Sequence, residues 1–209
     1  MAAHNVVFQG TAGQLHGRVH LPEQSPIGIA VIAHPLPIQG GTMENKVVTT
    51  LANTLVAAGY ATLRFNFRGV GESEGEYDHG NGETEDVQAA CELMRQEFGD
   101  LPLVAAGFSF GGYVLAGAAE HTRPAQLVLI APAVGRFNMP TVPANSLIVH
   151  GDCDEVVPLS DLLDWARPQQ LAIHILTGAE HFVHRRLSQL QGVVRHGLVL
   201  GMTSPTSPH

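Results

Sequence analysis

The chain has 209 residues, a formal charge of -8, 44% hydrophobic residues and 14% charged residues. This composition is typical of one folded domain with a sizeable core and excludes a disordered chain. The acidic balance disfavours nucleic acid and anionic membrane surfaces as partners, because neither would release counterions on binding such a chain.

Strand patterns alternate with helical patterns along the chain. The predicted strands are Asn5 to Gln9, Leu15 to Leu21, Ile27 to His34, Ala61 to Phe67, Leu101 to Gly107, Leu127 to Ala131, Ser146 to His150 and Ile173 to Leu176. The predicted helices are Met43 to Ala58, Glu83 to Phe98, Phe110 to Glu120, Leu159 to Ala166 and Phe182 to Leu198.

The order of these elements indicates the fold class. The first two strands have no helix between them and should form a hairpin, whereas the later strands are joined through helices and should run parallel. We therefore expect an α/β fold with a doubly wound, mostly parallel eight-stranded sheet. Residues 1–201 should form the single domain, with residues 202–209 as a frayed tail.

The start of the chain and its cysteines bear on the compartment. Residues 1–5 lack the regions of a secretory signal, and no apolar run approaches the roughly 18 residues that span a bilayer. We therefore expect a cytoplasmic protein that does not enter membranes. Cys91 and Cys153 are far apart in sequence, so we expect both to be reduced, with neither a disulfide framework nor a thiolate metal site.

The segment from Gly107 to Gly111 has the pattern Gly-x-Ser-x-Gly and lies between an apolar strand and an Ala-rich helix. A serine nucleophile occupies this strand-turn-helix junction in many hydrolases. Such a sharp turn strains the backbone at Ser109 and leaves little space for any side chain at either glycine. The sequence therefore predicts Ser109 as a nucleophile.

A second segment, from Gly71 to Gly75, fits the same pattern but lacks this setting. Ser73 lies several residues past its strand in a Gly-rich loop, and Glu72 and Glu74 would oppose negative charge on a substrate oxygen. The loop, residues 68–82, also lacks the lysine of a phosphate-binding loop. We expect it to form one wall of the site instead.

A serine hydroxyl needs a neutral imidazole as base, and the imidazole needs a carboxylate to fix its tautomer. Asp154 lies in a turn after a strand, where neighbouring apolar residues can shield it, whereas Asp152 is closer to the strand and could cap the turn. His181 follows the last strand directly, and His184 reads as a surface group. We predict Ser109, Asp154 and His181 as a triad, with Asp152 as the alternative acid.

Two backbone N–H groups are needed to stabilise a developing oxyanion. Phe110, which follows the nucleophile at the start of its helix, provides one. The loop after the third strand reads His34-Pro35-Leu36-Pro37, and because proline has no N–H, Leu36 is its candidate donor. We therefore predict Leu36 and Phe110 as the oxyanion hole.

Several motifs resemble those of the α/β-hydrolase superfamily across nearly the whole chain. They are AHPLPIQGGTMENKVV, LRFNFRGVGESEGEYDHG, GFSFGG, HGDCDEVVP and GAEHF, and together they look like those of the small hydrolases related to dienelactone hydrolase. The resemblance implies the same triad and the same two oxyanion donors. The chain departs from dienelactone hydrolases proper in having serine where they have a cysteine nucleophile.

About a dozen residues, from Val134 to Asn145, separate the strand after the nucleophile helix from the strand that carries the acid. Many members of the superfamily insert a cap domain here, and this segment is too short for one. We therefore expect a capless fold with a shallow, open site for small or protruding acyl groups.

The expected activity is hydrolysis of carboxylic esters through an acyl-enzyme, with no cofactor and no metal. The expected partner is a small-molecule ester or thioester. A thioesterase or a small-peptide hydrolase would use the same triad, and a catalytically silent binding module on the same fold is the alternative of another class.

Overall fold

The fold is built on one eight-stranded sheet. The computed structural model describes residues 2–202, with side chains described for residues 2–198. The strands are β1 (Ala2–Gly10), β2 (Gly13–Leu21), β3 (Gly28–Ala33), β4 (Tyr60–Phe65), β5 (Leu103–Phe108), β6 (Gln126–Ile130), β7 (Leu147–Gly151) and β8 (Ile173–Leu176).

The strands lie in the order β1-β2-β4-β3-β5-β6-β7-β8. β1 and β2 form the expected hairpin, and β2 also pairs antiparallel with β4. All the other neighbouring strands are parallel. The predicted fold class, a mostly parallel eight-stranded sheet, is confirmed.

Helices cover both faces of the sheet. They are α1 (Lys46–Ala57), α2 (Asn81–Phe98), α3 (Phe110–Thr122), α4 (Leu159–Ala166) and α5 (Leu187–Met202). Apolar side chains of α1 and α5 pack into one core cluster, and those of α2, α3 and α4 pack into a second cluster on the opposite face. Because the central strands β3 to β7 are buried at every position, this part of the sheet lies between the two helical layers.

The first helix begins later than expected. The predicted start was Met43, but α1 begins at Lys46. Asn45 caps this helix, since its side chain accepts a hydrogen bond from the Val47 N–H at 2.8 Å. The Met43 N–H instead donates to the Asn66 side chain at 2.8 Å. Asn45 is an ordinary N-cap residue, so the sequence did contain the signal for this boundary.

The last helix was also predicted to begin too early, at Phe182. Val183 has a left-handed backbone conformation with φ of 46°, and a 3-10 helix at His184–Arg186 precedes α5. β-Branched residues rarely adopt positive φ, so no local pattern predicts this break. At the other end α5 includes Met202, the first residue of the predicted tail. Residues 203–209 lie outside the described part of the chain.

The other boundaries differ from the predictions by only a few residues. One of these shifts affects the site, since His34 lies just after β3 rather than within it. No helix in the described part of the chain is long and apolar enough to cross a membrane.

The connection between β6 and β7 is a short loop without a cap domain. It is held against the segment around α4 by hydrogen bonds from the Trp165 side chain to the Pro140 carbonyl and from the Val142 N–H to the Gln169 side chain. The capless form predicted from the length of this segment is confirmed, and the carboxyl end of the sheet is left uncovered there.

Candidate active site

Ser109 lies at the turn that joins β5 to α3. Its backbone has φ of 53° and ψ of -115°, a conformation that non-glycine residues rarely adopt. Such strain persists only where the surrounding structure holds the residue in place, and it is common at functional sites. Here the Ser109 N–H donates to the Ile130 carbonyl at 2.9 Å, which fixes the turn against β6.

The two glycines of this turn allow backbone segments to approach closely. A Cβ atom at Gly107 would lie 2.6 Å from the carbonyl carbon of Gly111. A Cβ atom at Gly111 would lie 2.7 Å from the carbonyl carbon of Ala33. Neither position has space for a larger residue, as the sequence pattern predicted.

The structure brings Ser109, His181 and Asp154 together. His181 Nε2 lies 3.0 Å from Ser109 Oγ, and His181 Nδ1 lies 2.7 Å from Asp154 Oδ2. The three residues follow β5, β8 and β7 and meet at the carboxyl end of the parallel strands. All three are buried, so their hydrogen bonds face little competition from bulk water.

The Asp154 carboxylate is held by its own turn as well as by His181. Its Oδ1 accepts hydrogen bonds from the N–H groups of Val156 and Val157, both at 2.8 Å. Burial by itself would raise the pKa of Asp154, but the hydrogen bonds from His181, Val157 and Val156 outweigh it and lower that pKa below its ordinary value. The group is therefore a carboxylate at neutral pH.

His150 lies beside the same carboxylate and was not predicted as part of the site. It is fully buried in β7, its Nε2 donates to the Val157 carbonyl at 2.9 Å, and Asp154 Oδ2 is 3.7 Å away. Burial lowers the pKa of His150, despite the nearby carboxylate. His150 is thus a neutral side chain that supports the Asp154 turn.

The alternative acid lies elsewhere in the turn. Asp152 is exposed, and its Oδ1 accepts a hydrogen bond from the Gly178 N–H at 2.6 Å. It therefore links the turn after β7 to the turn after β8, as expected of a residue that caps a turn. His184 is exposed on the 3-10 helix that precedes α5.

Leu36 and Phe110 both line the cleft in front of Ser109. As the first residue of α3, Phe110 has an N–H without an acceptor inside the helix. In the turn after β3, Gln39 and Gly41 donate to the Leu36 carbonyl, and the Leu36 N–H donates to no other group among the described residues. Both candidate donors are thus placed at the site.

The cleft has a volume of about 180 Å³. Its lining residues come from the loops after β3, β5, β6, β7 and β8, and they are Pro35, Leu36, Gln39, Gly40, Gly41, Asn45, Ser109, Phe110, Ala133, Arg136, Phe137, Val156, His181 and Phe182. All five loops follow the carboxyl ends of parallel strands, where folds of this class place their chemistry. Arg136 and Asn45 were not predicted from the sequence as site residues. In sequence, an arginine or asparagine in a loop cannot be distinguished from the many polar loop residues that only face solvent.

The Gly-rich loop was expected to form a wall of the site, and this was wrong. None of residues 68–82 lines the cleft. Arg68 is buried and forms an ion pair with Asp86 at 2.8 Å, while Tyr77 packs against the rear of Phe110 at 5.9 Å between ring centroids. The loop therefore supports the site from behind.

Ser73, the serine of the second motif, is part of this structural loop. Its hydroxyl donates to the Asn66 carbonyl at 2.8 Å and accepts a hydrogen bond from the His16 N–H at 3.0 Å. The hydroxyl thus connects β2 to the end of β4 and makes no hydrogen bond to His181.

Comparison with known proteins identifies the family of this chain. A family model described as serine aminopeptidase, S33, matches residues 25–146, more than half of the chain. The chain belongs to this family of α/β-hydrolases. A relative from Rickettsia prowazekii, an uncharacterized protein, is 30% identical over 218 residues, covering 93% of this chain and 88% of that one.

Two solved structures are similar to this hydrolase over nearly its full length. One, from Xanthomonas campestris, is a serine hydrolase without a lid; it is 38% identical, has a TM-score of 0.91, and the match covers 100% of this chain and 98% of that one. The other, an α/β serine hydrolase homologue from Coxiella burnetii, is also 38% identical, with a TM-score of 0.86 and coverage of 95% and 98%. The hydrolase is therefore similar in sequence and in fold to α/β serine hydrolases, one of which has no lid.

Proposed function

We propose that this protein is a carboxylic ester hydrolase that acts on small or protruding acyl groups through an acyl-enzyme. One observation carries the proposal: an unbroken row of hydrogen bonds joins Asp154, His181 and Ser109 at the floor of an accessible cleft. A silent binding module has no need to hold a serine in a strained conformation against a buried imidazole.

In the resting site, hydrogen bonding assigns the tautomer of His181. An ionised Asp154 can only accept, so Nδ1 carries the proton and donates it to Oδ2. Nε2 is then an acceptor, and the Ser109 hydroxyl donates to it. The imidazole is thereby oriented to act as a base toward Ser109.

In the acylation step, Ser109 Oγ attacks the ester carbonyl carbon while its proton passes to His181 Nε2. The carbonyl oxygen becomes negatively charged and receives hydrogen bonds from the N–H groups of Leu36 and Phe110. Collapse of this intermediate breaks the bond to the leaving alkoxide, which takes the proton from His181. The Asp154 carboxylate stabilises the imidazolium between these two proton transfers.

Deacylation repeats the sequence with water as nucleophile. Water gives a proton to His181 and attacks the acyl carbon, and the second intermediate expels Ser109 Oγ, which recovers that proton. The products are the carboxylic acid and the alcohol, and the enzyme returns to its resting state.

The size of the cleft supports a small acyl group. Its volume of about 180 Å³ is below the roughly 300–1,000 Å³ of sites that enclose drug-sized ligands. The described connection between β6 and β7 is too short to supply a lid over a long chain. A longer acyl chain would extend past the cleft into water and gain little binding energy.

The test is a series of 4-nitrophenyl esters with straight acyl chains of increasing length. We expect kcat/KM to stay level or to fall from the butanoate to the octanoate ester, since methylenes that stay in water add no binding energy. An acyl-coenzyme A thioester and an aminoacyl 4-nitroanilide are measured beside them, with Ser109→Ala as the control for each substrate.

Two results would contradict the proposal. A rise in kcat/KM with chain length would oppose the small-acyl specificity. A Ser109-dependent turnover of the anilide or the thioester faster than that of every ester would replace the substrate class.

A further inference from the structure

Arg136 places an unpaired positive charge in the active-site cleft. It is exposed and belongs to the turn after β6, and its side chain has neither a hydrogen-bond nor an ion-pair partner among the described residues. In contrast, Arg64 and Arg68 are each paired with a carboxylate. A guanidinium is always charged and presents several N–H donors in one plane, which suits carboxylate or phosphate oxygens.

The turn that carries Arg136 is firmly anchored. Its next residue, Phe137, stacks on Tyr113 with ring centroids 4.8 Å apart and packs against Phe110 at 5.2 Å. The N–H groups of Arg136 and Phe137 both donate to the Ala133 carbonyl, at 3.2 and 3.1 Å. The position of Arg136 is therefore fixed relative to Ser109, because the neighbouring Phe137 packs against Phe110, the residue after Ser109.

The lining of the cleft around Arg136 carries no carboxylate among the described residues. The carboxylate of Asp161 lies beside Gly135 in the same turn, but it forms no ion pair with Arg136. A substrate anion would therefore meet no competing carboxylate within the cleft.

Negative charge lies instead on the other side of His181. An adjoining groove shares Val156, His181 and Phe182 with the cleft and is lined by Glu155 and Glu180, both exposed. Side chains of opposite charge thus lie on the two sides of His181. An anionic group on the substrate is attracted toward Arg136 and repelled from the groove.

We infer that the preferred substrate is an ester with a carboxylate or phosphate substituent, which Arg136 binds while Ser109 attacks the ester carbonyl. The inference rests on the proposed ester hydrolysis and names the substrate class of that same site. Arg136 acts on binding and orientation, so it determines specificity rather than taking part in proton transfer.

The experiment measures the ratio of kcat/KM for an anionic ester to that for its neutral counterpart. For a charge on the leaving group, the pair is 4-carboxyphenyl acetate and its methyl ester. For a charge on the acyl group, the pair is mono-4-nitrophenyl adipate and its methyl ester. The two pairs distinguish on which side of the scissile bond the anion lies.

We expect Arg136→Gln to lower this ratio about tenfold for at least one pair, because a charge-assisted hydrogen bond is lost in a partly exposed site. Arg136→Lys keeps the charge without the planar donors and should give an intermediate ratio. High salt should lower the wild-type ratio, since screening weakens an exposed attraction.

Arg195→Gln is the matched control, because Arg195 is exposed on α5, does not line the cleft, and its loss changes the net charge equally. An equal fall of the ratio in Arg195→Gln, or an unchanged ratio for both pairs in Arg136→Gln, would overturn the inference. Activity on the neutral esters that persists in Ser109→Ala would instead refute the proposed hydrolysis itself. The two failures are therefore distinguishable.

Discussion

The chain contains the same five-residue pattern twice, and the two turns have different structures and surroundings. Both serines are buried, Ser109 at 8% exposure and Ser73 at 6%. The Ser109 hydroxyl lies 3.0 Å from an imidazole nitrogen, whereas the Ser73 hydroxyl donates to one backbone group and accepts from another. The partners of the hydroxyl, rather than the motif or its burial, separate a reactive serine from a structural one.

The surroundings of the two turns differ in charge as well. Ser109 precedes the 13 residues of α3, whose N-terminal dipole favours negative charge. Beside Ser73, Glu74 accepts a hydrogen bond from the Gln14 N–H at 2.6 Å, and Glu72 lies 3.4 Å from His16. These carboxylates tie the second turn to β2 and would destabilise an oxyanion.

The greatest loss of kcat is expected from removing the charge of Asp154, the carboxylate that orients His181 toward Ser109. Asp154→Asn removes the charge that fixes the His181 tautomer, so kcat should fall by about 10,000-fold. The control is Asp152→Asn, in the same turn, which should change kcat only a few-fold because Asp152 does not contact His181. Ester hydrolysis followed by stopped-flow absorbance measures both.

Equal losses in Asp154→Asn and Asp152→Asn would contradict the assignment of the acid. A loss in Asp152→Asn alone would move that role to Asp152.

The next prediction concerns Leu36 as an oxyanion donor. Beside Ser73, by contrast, the Glu74 N–H already donates to the Gln14 carbonyl at 2.8 Å. Leu36 has φ of -50°, close to the value that proline requires, so Leu36→Pro removes the N–H without forcing that angle. We expect kcat to fall by about 100- to 1,000-fold. Leu36→Ala keeps the N–H and should retain most of the activity.

Thermal unfolding is measured for Leu36→Pro and Leu36→Ala beside the kinetics. Similar kcat values in the two variants, with unchanged unfolding temperatures, would show that the Leu36 N–H has no catalytic use.

A third comparison concerns the space around the two turns. In Gly111→Ala the new Cβ meets the backbone of Ala33, which cannot move aside, and the free energy of unfolding should fall by about 3 kcal/mol. In Gly71→Ala the Cβ meets the Asn66 side chain at a φ of 60°, with an expected cost of about 1 kcal/mol. Urea denaturation gives both values, and a reversed order would contradict the close packing of the Ala33 backbone against Gly111.

A fourth prediction concerns His34, which connects the loop after β3 to Phe67, just before the Gly-rich loop. Its Nε2 accepts from the Phe67 N–H at 3.1 Å, its Nδ1 donates to the Pro35 carbonyl at 2.6 Å, and burial lowers its pKa to about 4 from the ordinary 6.5. The unfolded chain therefore takes up this proton first as pH falls. The stability that His34 contributes is complete above pH 6.5 and is lost as pH falls through 4.

Between pH 6.5 and pH 4, the contribution of His34 to the free energy of unfolding should fall by about 3 kcal/mol. Urea denaturation of the wild type and of His34→Gln, at several pH values from 7.5 to 4, measures it as the difference between the two curves. Parallel curves for the wild type and His34→Gln would contradict the lowered pKa of His34.

The sequence contained much of this structure. The strand-turn-helix setting predicted Ser109, and the turns after β7 and β8 predicted Asp154 and His181, because these are local patterns at defined ends of strands. The break before α5 was missed because Val183 adopts a conformation that local propensity disfavours.

The role of the Gly-rich loop and the position of Arg136 depend on contacts between distant segments. Arg68 in the loop pairs with Asp86 in α2, and the turn that carries Arg136 packs against α3 through Phe137 and Tyr113. No pattern in either segment predicts such contacts.

Covalent labelling with a fluorophosphonate, which reacts only with an activated serine, identifies the nucleophile. We expect the wild type and Ser73→Ala to be labelled at Ser109, as identified by mass spectrometry of the modified peptide, and Ser109→Ala to remain unlabelled. The Ser73→Ala variant should lose about 1–2 kcal/mol of stability through its buried hydrogen bonds. Labelling that persists in Ser109→Ala and disappears in Ser73→Ala would show that Ser73, and not Ser109, is the nucleophile.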